Sequence, residues 1–289
     1  MPVHDDLGNR MKTFYEQIPK TKLMRRTPVI CRIDGKAFHT YTRGFQKPFD
    51  EVLIKTMQET TKYLCENIQG CVLGYTQSDE ISLVLVDYQR FETSAWFDYE
   101  VQKMCSIAAS MATMAFNKFF RKNVESWWTA PFVGITKECQ DRESLYRIYQ
   151  IALDKGAMFD ARVFNIPKEE VTNCIYWRQL DASRNSIQMV GQANFSHKEL
   201  QNKSCNDIQD MLMLQKNINW NDFPTYQKRG ICVIKFDERE TITEDNIGTD
   251  GSVIGTKMTV RSKWIIDKDI PIFKGEGREY IERLVMIGN

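Results

Sequence analysis

Between Pro28 and Pro167 the apolar residues alternate between strand-like and helix-like spacing, and the order of those switches restricts the fold more than any other feature of the chain. PVICRIDG, from Pro28, predicts a strand that stops at Gly35. In FDEVLIKTMQETTKYLCENI, Leu53, Met57, Thr60, Leu64 and Ile68 recur at helical spacing, and Gly70 follows as a stop. CVLGYT and EISLVLV, separated by Gln77-Ser78-Asp79, predict a hairpin. A second long helix is expected from about Tyr99 to Phe120, where Met104, Ala108, Ala112, Ala115 and Phe116 form a stripe whose small residues let a helix lie close on a sheet. AMFDARVFNI predicts another strand, ending at Pro167, with a helix from Lys168. The order β-α-β-β-α-β is the split βαβ, ferredoxin-like α+β arrangement, here with an insert at 123–156 before the last strand. Residues 1–200 are expected to form this region. Residues 201–289 hold helical potential near Asn206–Gln215, the strands ICVIKF and KMTVRSKWII, and a polar Gly-rich loop between them. They are expected to form additional α/β elements packed on the first part as a second layer, not an independent domain.

Composition narrows the function. With 27% charged and 42% hydrophobic residues in 289, global disorder is excluded. No apolar run approaches the ~20 residues of a membrane span, and the polar start MPVHDDLGNR lacks a signal-peptide pattern. The eight cysteines contain no CxxC pair and read as reduced residues of a cytoplasmic protein. Three histidines argue against a polyhistidine metal site. A net charge of +1 leaves room for local basic patches that bind nucleic acid.

The chemistry-bearing residues sit at strand ends. Asp34 closes the first strand and precedes Gly35, while Asp79 and Glu80 occupy the hairpin. In this topology the first strand and the hairpin are spatial neighbours, so Asp34 and Asp79 are expected to converge. Two carboxylates and a backbone carbonyl are hard oxygen ligands that suit Mg²⁺, and a pair of such ions serves phosphoryl or nucleotidyl transfer. Gly35 admits a phosphate close to the backbone and Lys36 places charge beside it. The alternative is that an Asp before a Gly merely terminates a strand.

CRIDGKAFHTYTRGFQKPFD and GYTQSDEISLVL resemble the signature blocks of the tRNA-His guanylyltransferase family, whose members are 3′–5′ nucleotide polymerases. LGNRMKTFYE, FDARVFNIP, YWRQLD and NINWNDFPTYQKRG resemble further family blocks, in order, across most of residues 5–235. The resemblance implies a polymerase-like palm, two Mg²⁺ ions, ATP and GTP as substrates, a tRNA acceptor and a homotetramer. It makes Asp34, Asp79 and the Gly35 carbonyl the metal ligands, with Glu80 supporting them. Asp34, Gly35, Lys36, Ala37, Phe38 and His39 become the nucleotide-binding turn, with Ser78 opposite. Lys47 becomes a lysine near the nucleotide and Lys103 one that faces a triphosphate. Asn219 matches a family asparagine used in activation or transfer.

Two departures refine this. The HINNLYN block of eukaryotic members is replaced by Ser183-Arg184-Asn185-Ser186-Ile187-Gln188-Met189, and Asp98-Tyr99-Glu100 stands where a basic cluster precedes Lys103. The pattern is similar to the bacterial and archaeal guanylyltransferase-like branch, which repairs truncated tRNA 5′ ends against a template. The implied reaction is adenylylation of a 5′-monophosphate, followed by attack of an incoming nucleotide's 3′-OH with loss of AMP. The alternatives are addition of one G to tRNA-His, a nucleotidyl cyclase and a non-catalytic tRNA binder.

Outside these blocks, Lys20, Lys22, Arg25 and Arg26 form a basic cluster before the first strand. With Arg178 and Asn219 they are candidate RNA contacts, set against solvated faces or surface ion pairs.

Overall fold

The computed structural model describes residues 5–131, 136–240, 245–247, 253–256 and 259–287. The Gly-rich loop anticipated around 249–255 lies largely outside them.

After a short helix, α1 (Asp6–Met11), strand β1 (Val29–Gly35) enters the sheet and a single helical turn, α2 (Phe38–Tyr41), follows it. Helix α3 (Glu51–Asn67) starts at Asp50, whose carboxylate caps the Leu53 N–H at 2.9 Å. Strands β2 (Cys71–Gln77) and β3 (Glu80–Leu85) form the hairpin. Helix α4 (Val101–Thr129) and helix α5 (Thr136–Lys155) lead to β4 (Phe159–Asn165), and then α6 (Lys168–Asn194) recrosses the sheet. Short helices α7 (His197–Leu200), α8 (Cys205–Lys216) and α9 (Thr225–Arg229) precede β5 (Ile231–Glu240). A small ribbon, β6 (Asp245–Ile247) and β7 (Val253–Thr256), is followed by β8 (Thr259–Asp267) and the last helix, α10 (Glu279–Val285).

The main sheet has the order β4-β1-β3-β2-β5-β8, with every neighbour antiparallel. Its first four strands are the β-α-β-β-α-β unit expected from the spacing. Alternation along β1 decides which face each residue serves. Val29, Cys31 and Ile33 pack towards α3 and α4, with Ile81, Leu83, Met104, Ala108, Ala112, Phe116 and Phe120. Ile30 points the other way, into a core with Tyr75, Val84, Val171, Ile175, Phe273 and Ile281 that α6 and α10 cover.

Two expectations change. The segment 123–156 does not begin a separate insert: α4 runs on to Thr129 because Asn123 and Val124 continue its buried stripe, Asn123 donating to Thr56 Oγ1 at 3.1 Å and to Glu59 Oε2 at 2.9 Å. Helix α5 returns beside it, and Trp127, Trp128 and Tyr146 pack within that helical pair. The C-terminal strands are not a second layer either. β5 pairs with β2 and β8 with β5, extending the same sheet. Without them β2 would present an open edge of unpaired N–H and C=O groups.

Helix α6 outruns the sheet. Its last turns join α7, α8 and the loop before α3 in a third cluster built on Ile187, Val190, Phe195, Ile208 and Leu212, with Phe49, Trp220 and Phe223 against it. This lobe stands over the end of the sheet where β1 finishes and the β2–β3 hairpin turns.

Candidate active site

Strand pairing brings the two aspartates to that end. Asp34 is in register with Glu80, and the Gly35 N–H donates to the Asp79 carbonyl at 3.1 Å, tying the end of β1 to the hairpin turn. Ser78 takes a left-handed conformation (φ 50°) and donates its hydroxyl to Asp79 Oδ1 at 3.1 Å. Burial, and next the negative Asp34 nearby, push the Asp79 carboxyl up to about 6. Burial also raises Asp34, aided by Asp160 and opposed by Arg162, Arg32 and Arg178. Two half-buried carboxylates whose charge is disfavoured by burial and by neighbouring acids form a donor set that a divalent cation relieves. Among the described residues no group of three or more His, Cys, Asp or Glu side chains is disposed to hold a metal. The protein's hard donors here are therefore this pair and nearby backbone oxygen, which suits an ion that keeps water or substrate phosphate as its remaining ligands.

The turn after Asp34 is set by packing. The Lys36 N–H donates to the Met158 carbonyl at 2.9 Å and Ala37 is left-handed (φ 54°). Phe38 is buried against Tyr41, Phe116 and Phe159, with ring centroids 5.1–5.4 Å away. A Cβ on Gly35 would lie 2.3 Å from the Phe38 ring, so this close approach already demands glycine. Lys36 and His39 are exposed beside the carboxylates' strand end.

Glu80 and Arg178 find each other. Arg178 on α6 donates from Nε to Glu80 Oε1 at 2.6 Å and from Nη2 to Oε2 at 2.7 Å, then from Nη2 to Asp181 at 2.8 Å. The pair is buried, with Arg178 8% and Glu80 9% exposed. Glu80 therefore stands beside the aspartate pair with both oxygens engaged. Arg178 is not presented to solvent, because its fork is spent inside the protein, so it is not a surface contact for RNA.

The other candidates separate into two groups. Ser78 lines a small cavity with Phe49, Asn185, Met189 and Tyr226, at the junction of hairpin and lobe. Lys47 faces a larger cavity in the lobe, and Asn219 caps a 3₁₀ turn there, accepting from the Asn221 N–H at 3.1 Å. Lys20, Lys22, Arg25, Arg26 and Lys103 lie at the opposite end of the sheet. There Leu23 donates its N–H to Tyr99 O, and the Val101 N–H donates to Thr21 O. Lys22 pairs with Asp98, Arg25 with Asp87 and Asp98, and Lys103 lies over the Phe97 ring at 4.8 Å. Helix α4 reaches the level of Gly35 only at Thr113, which accepts the N–H of Gly35's strand partner Phe159. Lys103 is ten residues earlier on α4, about 15 Å away at 1.5 Å per residue. Within one chain Lys103 thus does not join Asp34 and Asp79.

Sequence reasoning missed Asp160, Arg162 and Arg32. Asp160 and Arg162 pair at 3.0 Å on β4, in register with Asp34 and Arg32, and Arg32 lies over the Trp177 ring at 5.6 Å. The alternation in FDARVFN, set against CRIDG, is the signal that would have found them.

A family model described as tRNA-His guanylyltransferase matches residues 8–167, just over half of the chain. A bacterial tRNA(His) guanylyltransferase-like protein solved in complex with ATP is 42% identical, covers 96% of this chain and 98% of its own, and superimposes with a TM-score of 0.74. A bacterial protein of the same description in complex with GTP gives 38%, 98%, 100% and 0.72. The probable tRNA(His) guanylyltransferase of Dictyostelium discoideum is 24% identical over 238 residues, spanning 78% of this chain and 82% of that protein.

Proposed function

This chain belongs to the tRNA-His guanylyltransferase family of nucleotidyltransferases, and from that membership we propose that it extends the 5′ end of tRNA in the 3′–5′ direction against a template. The observation that carries the proposal is the meeting of Asp34 and Asp79 where β1 ends beside the hairpin turn. Asp34, Asp79 and the Gly35 carbonyl would hold Mg²⁺, which supplies charge neutralisation at the attacking and leaving oxygens of a transferred phosphoryl group. Ser78 and the turn from Lys36 to His39 lie at the same end of the sheet, tied through the Gly35 N–H and the Asp79 carbonyl, and are suited to a nucleotide's phosphates. Arg178 neutralises Glu80, so a triphosphate arriving above the aspartates meets one buried negative charge fewer. The ATP and GTP complexes of the bacterial relatives support nucleoside triphosphates as ligands of this chain too.

In this reading ATP adenylylates a 5′-monophosphate end, releasing pyrophosphate, and the 3′-OH of the incoming nucleotide then expels AMP; a 5′-triphosphate end skips the first step and loses pyrophosphate instead. The work belongs in the cytoplasm, and the active assembly is a homotetramer, which light scattering would weigh. No helix among the described residues is long and apolar enough to cross a membrane.

The test uses 5′-truncated tRNAs with mono- or triphosphate ends, labelled nucleotides and altered template bases. Incorporation that follows the opposing base supports templated repair. Addition of a single G whatever the opposing base would instead assign the chain to tRNA-His maturation. A cyclic product from ATP or GTP without RNA would overturn both.

A further inference from the structure

The lobe beyond the sheet holds a cavity of about 590 Å³ between the last turns of α6, helices α7 and α8, and the loop carrying Lys47. Its walls are unusual in what they leave unsatisfied. Lys47, Gln188, Gln192, His197, Asn202 and Lys203 all line it, and none of their side chains hydrogen-bonds another described residue. No acidic residue lines it. The acids on the flanking helices, Glu199 and Asp207, serve first as caps, Glu199 accepting from the Ser196 N–H at 2.8 Å and Asp207 from the Ser204 N–H at 2.8 Å, and each also feels a lysine, Lys216 and Lys203 respectively. Phe195, 8% exposed and part of the lobe's core, backs the cavity, with Lys216 over its ring at 5.4 Å. Cations and free carboxamides are the chemistry of a single-stranded nucleic-acid groove, in which phosphates meet lysines and base edges meet amides.

Position fits that chemistry. The cavity and the smaller one at Ser78 flank successive turns of α6, the first taking Gln188 and Gln192 and the second Asn185 and Met189. From Asp181, which shares Arg178 with Glu80, to Gln192 is eleven residues, about 16 Å along the helix. That is the span of a few stacked nucleotides at about 3.4 Å each. An enzyme that extends a recessed 5′ end opposite a template must accommodate the part of the opposing strand that protrudes past the reacting end. We infer that this cavity binds that unpaired 3′ overhang of the RNA substrate, Lys203 on its wall and Lys216 behind Phe195 attracting its phosphates and the carboxamides of Gln188, Gln192 and Asn202 meeting its bases. The inference rests on the tRNA reading above.

Binding separates it from catalysis. The full chain is titrated by fluorescence anisotropy with two labelled stem-loop RNAs, identical except that one carries a four-nucleotide 3′ overhang and the other is blunt. Wild type is expected to bind the overhang RNA about tenfold more tightly, the K203E/K216E variant to bind both alike, and its salt slope to fall by about 1.4 for two lost phosphate contacts. The neutral K203Q/K216Q variant, gentler on the end of α8, should lose part of the preference, and the distant K62E none of it. Equal binding of both RNAs by wild type, or an overhang preference that survives K203E/K216E, overturns the inference. ATP alone displacing the overhang RNA from wild type would overturn it too, giving the cavity to the free nucleotide. Absence of Mg²⁺-dependent nucleotide addition in a parallel assay would count against the polymerase reading, while the binding difference still decides the groove.

Discussion

At the scale of single residues, the site is a compromise between charge and burial. Asp34 and Asp79 occupy a strand end where burial raises both carboxyls, with Asp160 adding to the effect on Asp34 and Asp34 to that on Asp79. Asp34→Ala or Asp79→Ala is expected to lower nucleotide addition by roughly 10³-fold with an unchanged circular dichroism spectrum, because metal stabilisation of transferring charge is worth several kcal/mol. Full activity in either variant would remove the metal assignment. The raised Asp79 also sets a pH window. A proton competes with the cation below about 6, so Mn²⁺ affinity, followed by water-proton relaxation, should be flat above pH 7 and fall steeply as pH drops through 6. The sign for folding is the reverse. Between the ordinary carboxylate range and about 6 the folded state holds a proton that the unfolded chain has released, so Asp79 costs stability as pH rises. Asp79→Asn should therefore melt higher than wild type at pH 7, the mark of a group kept for function.

At the scale of elements, the buried link between β3 and α6 matters most. Arg178 and Glu80 are worth little as a net gain, since desolvation offsets their attraction, but removing one partner strands the other. Arg178→Met is predicted to lose about 3–5 kcal/mol in urea denaturation. Glu80→Gln in the same background should restore part of it, because the uncompensated charge is then gone; no restoration would mean that packing, not charge, is what Arg178 supplies. Most of these elements were legible in the sequence because apolar spacing reports directly on burial. The extent of α4 was not. Asn123 reads as polar, yet it is buried by its bonds to Thr56 and Glu59, and no local pattern announces a partner on another helix. The burial of Arg178 was not legible for the same reason: beside an exposed Trp177 its ion pair reads as one on the helix surface, and only the seating of α6 on the hairpin encloses it.

At the scale of the whole molecule, one sheet carries everything. The β5–β8 pair closes the β2 edge, and Phe273, Ile281 and Val285 seal the lower core. Truncation after residue 256, which removes β8 and α10, should bare the β5 edge and the apolar side chains beneath it and yield aggregate in size-exclusion chromatography. A soluble, non-aggregated protein of normal activity would show the C-terminal part to be dispensable. The same architecture separates the basic cluster of Lys20, Lys22, Arg25 and Lys103 from the aspartates by the length of β1, about 20 Å for six steps of 3.3 Å.

What the sequence determined by itself was the order of the elements and the carboxylate pair, because periodicity and strand-end residues are local and the β-α-β-β-α-β order leaves few ways to assemble. What only the tertiary structure decided was which charges are spent and which are free. Glu80 with Arg178, Asp34 facing Asp160, and the lysines and carboxamides brought together around one cavity of the lobe all depend on contacts between residues distant in the chain, where electrostatic partners are chosen by distance and burial and leave no trace in spacing.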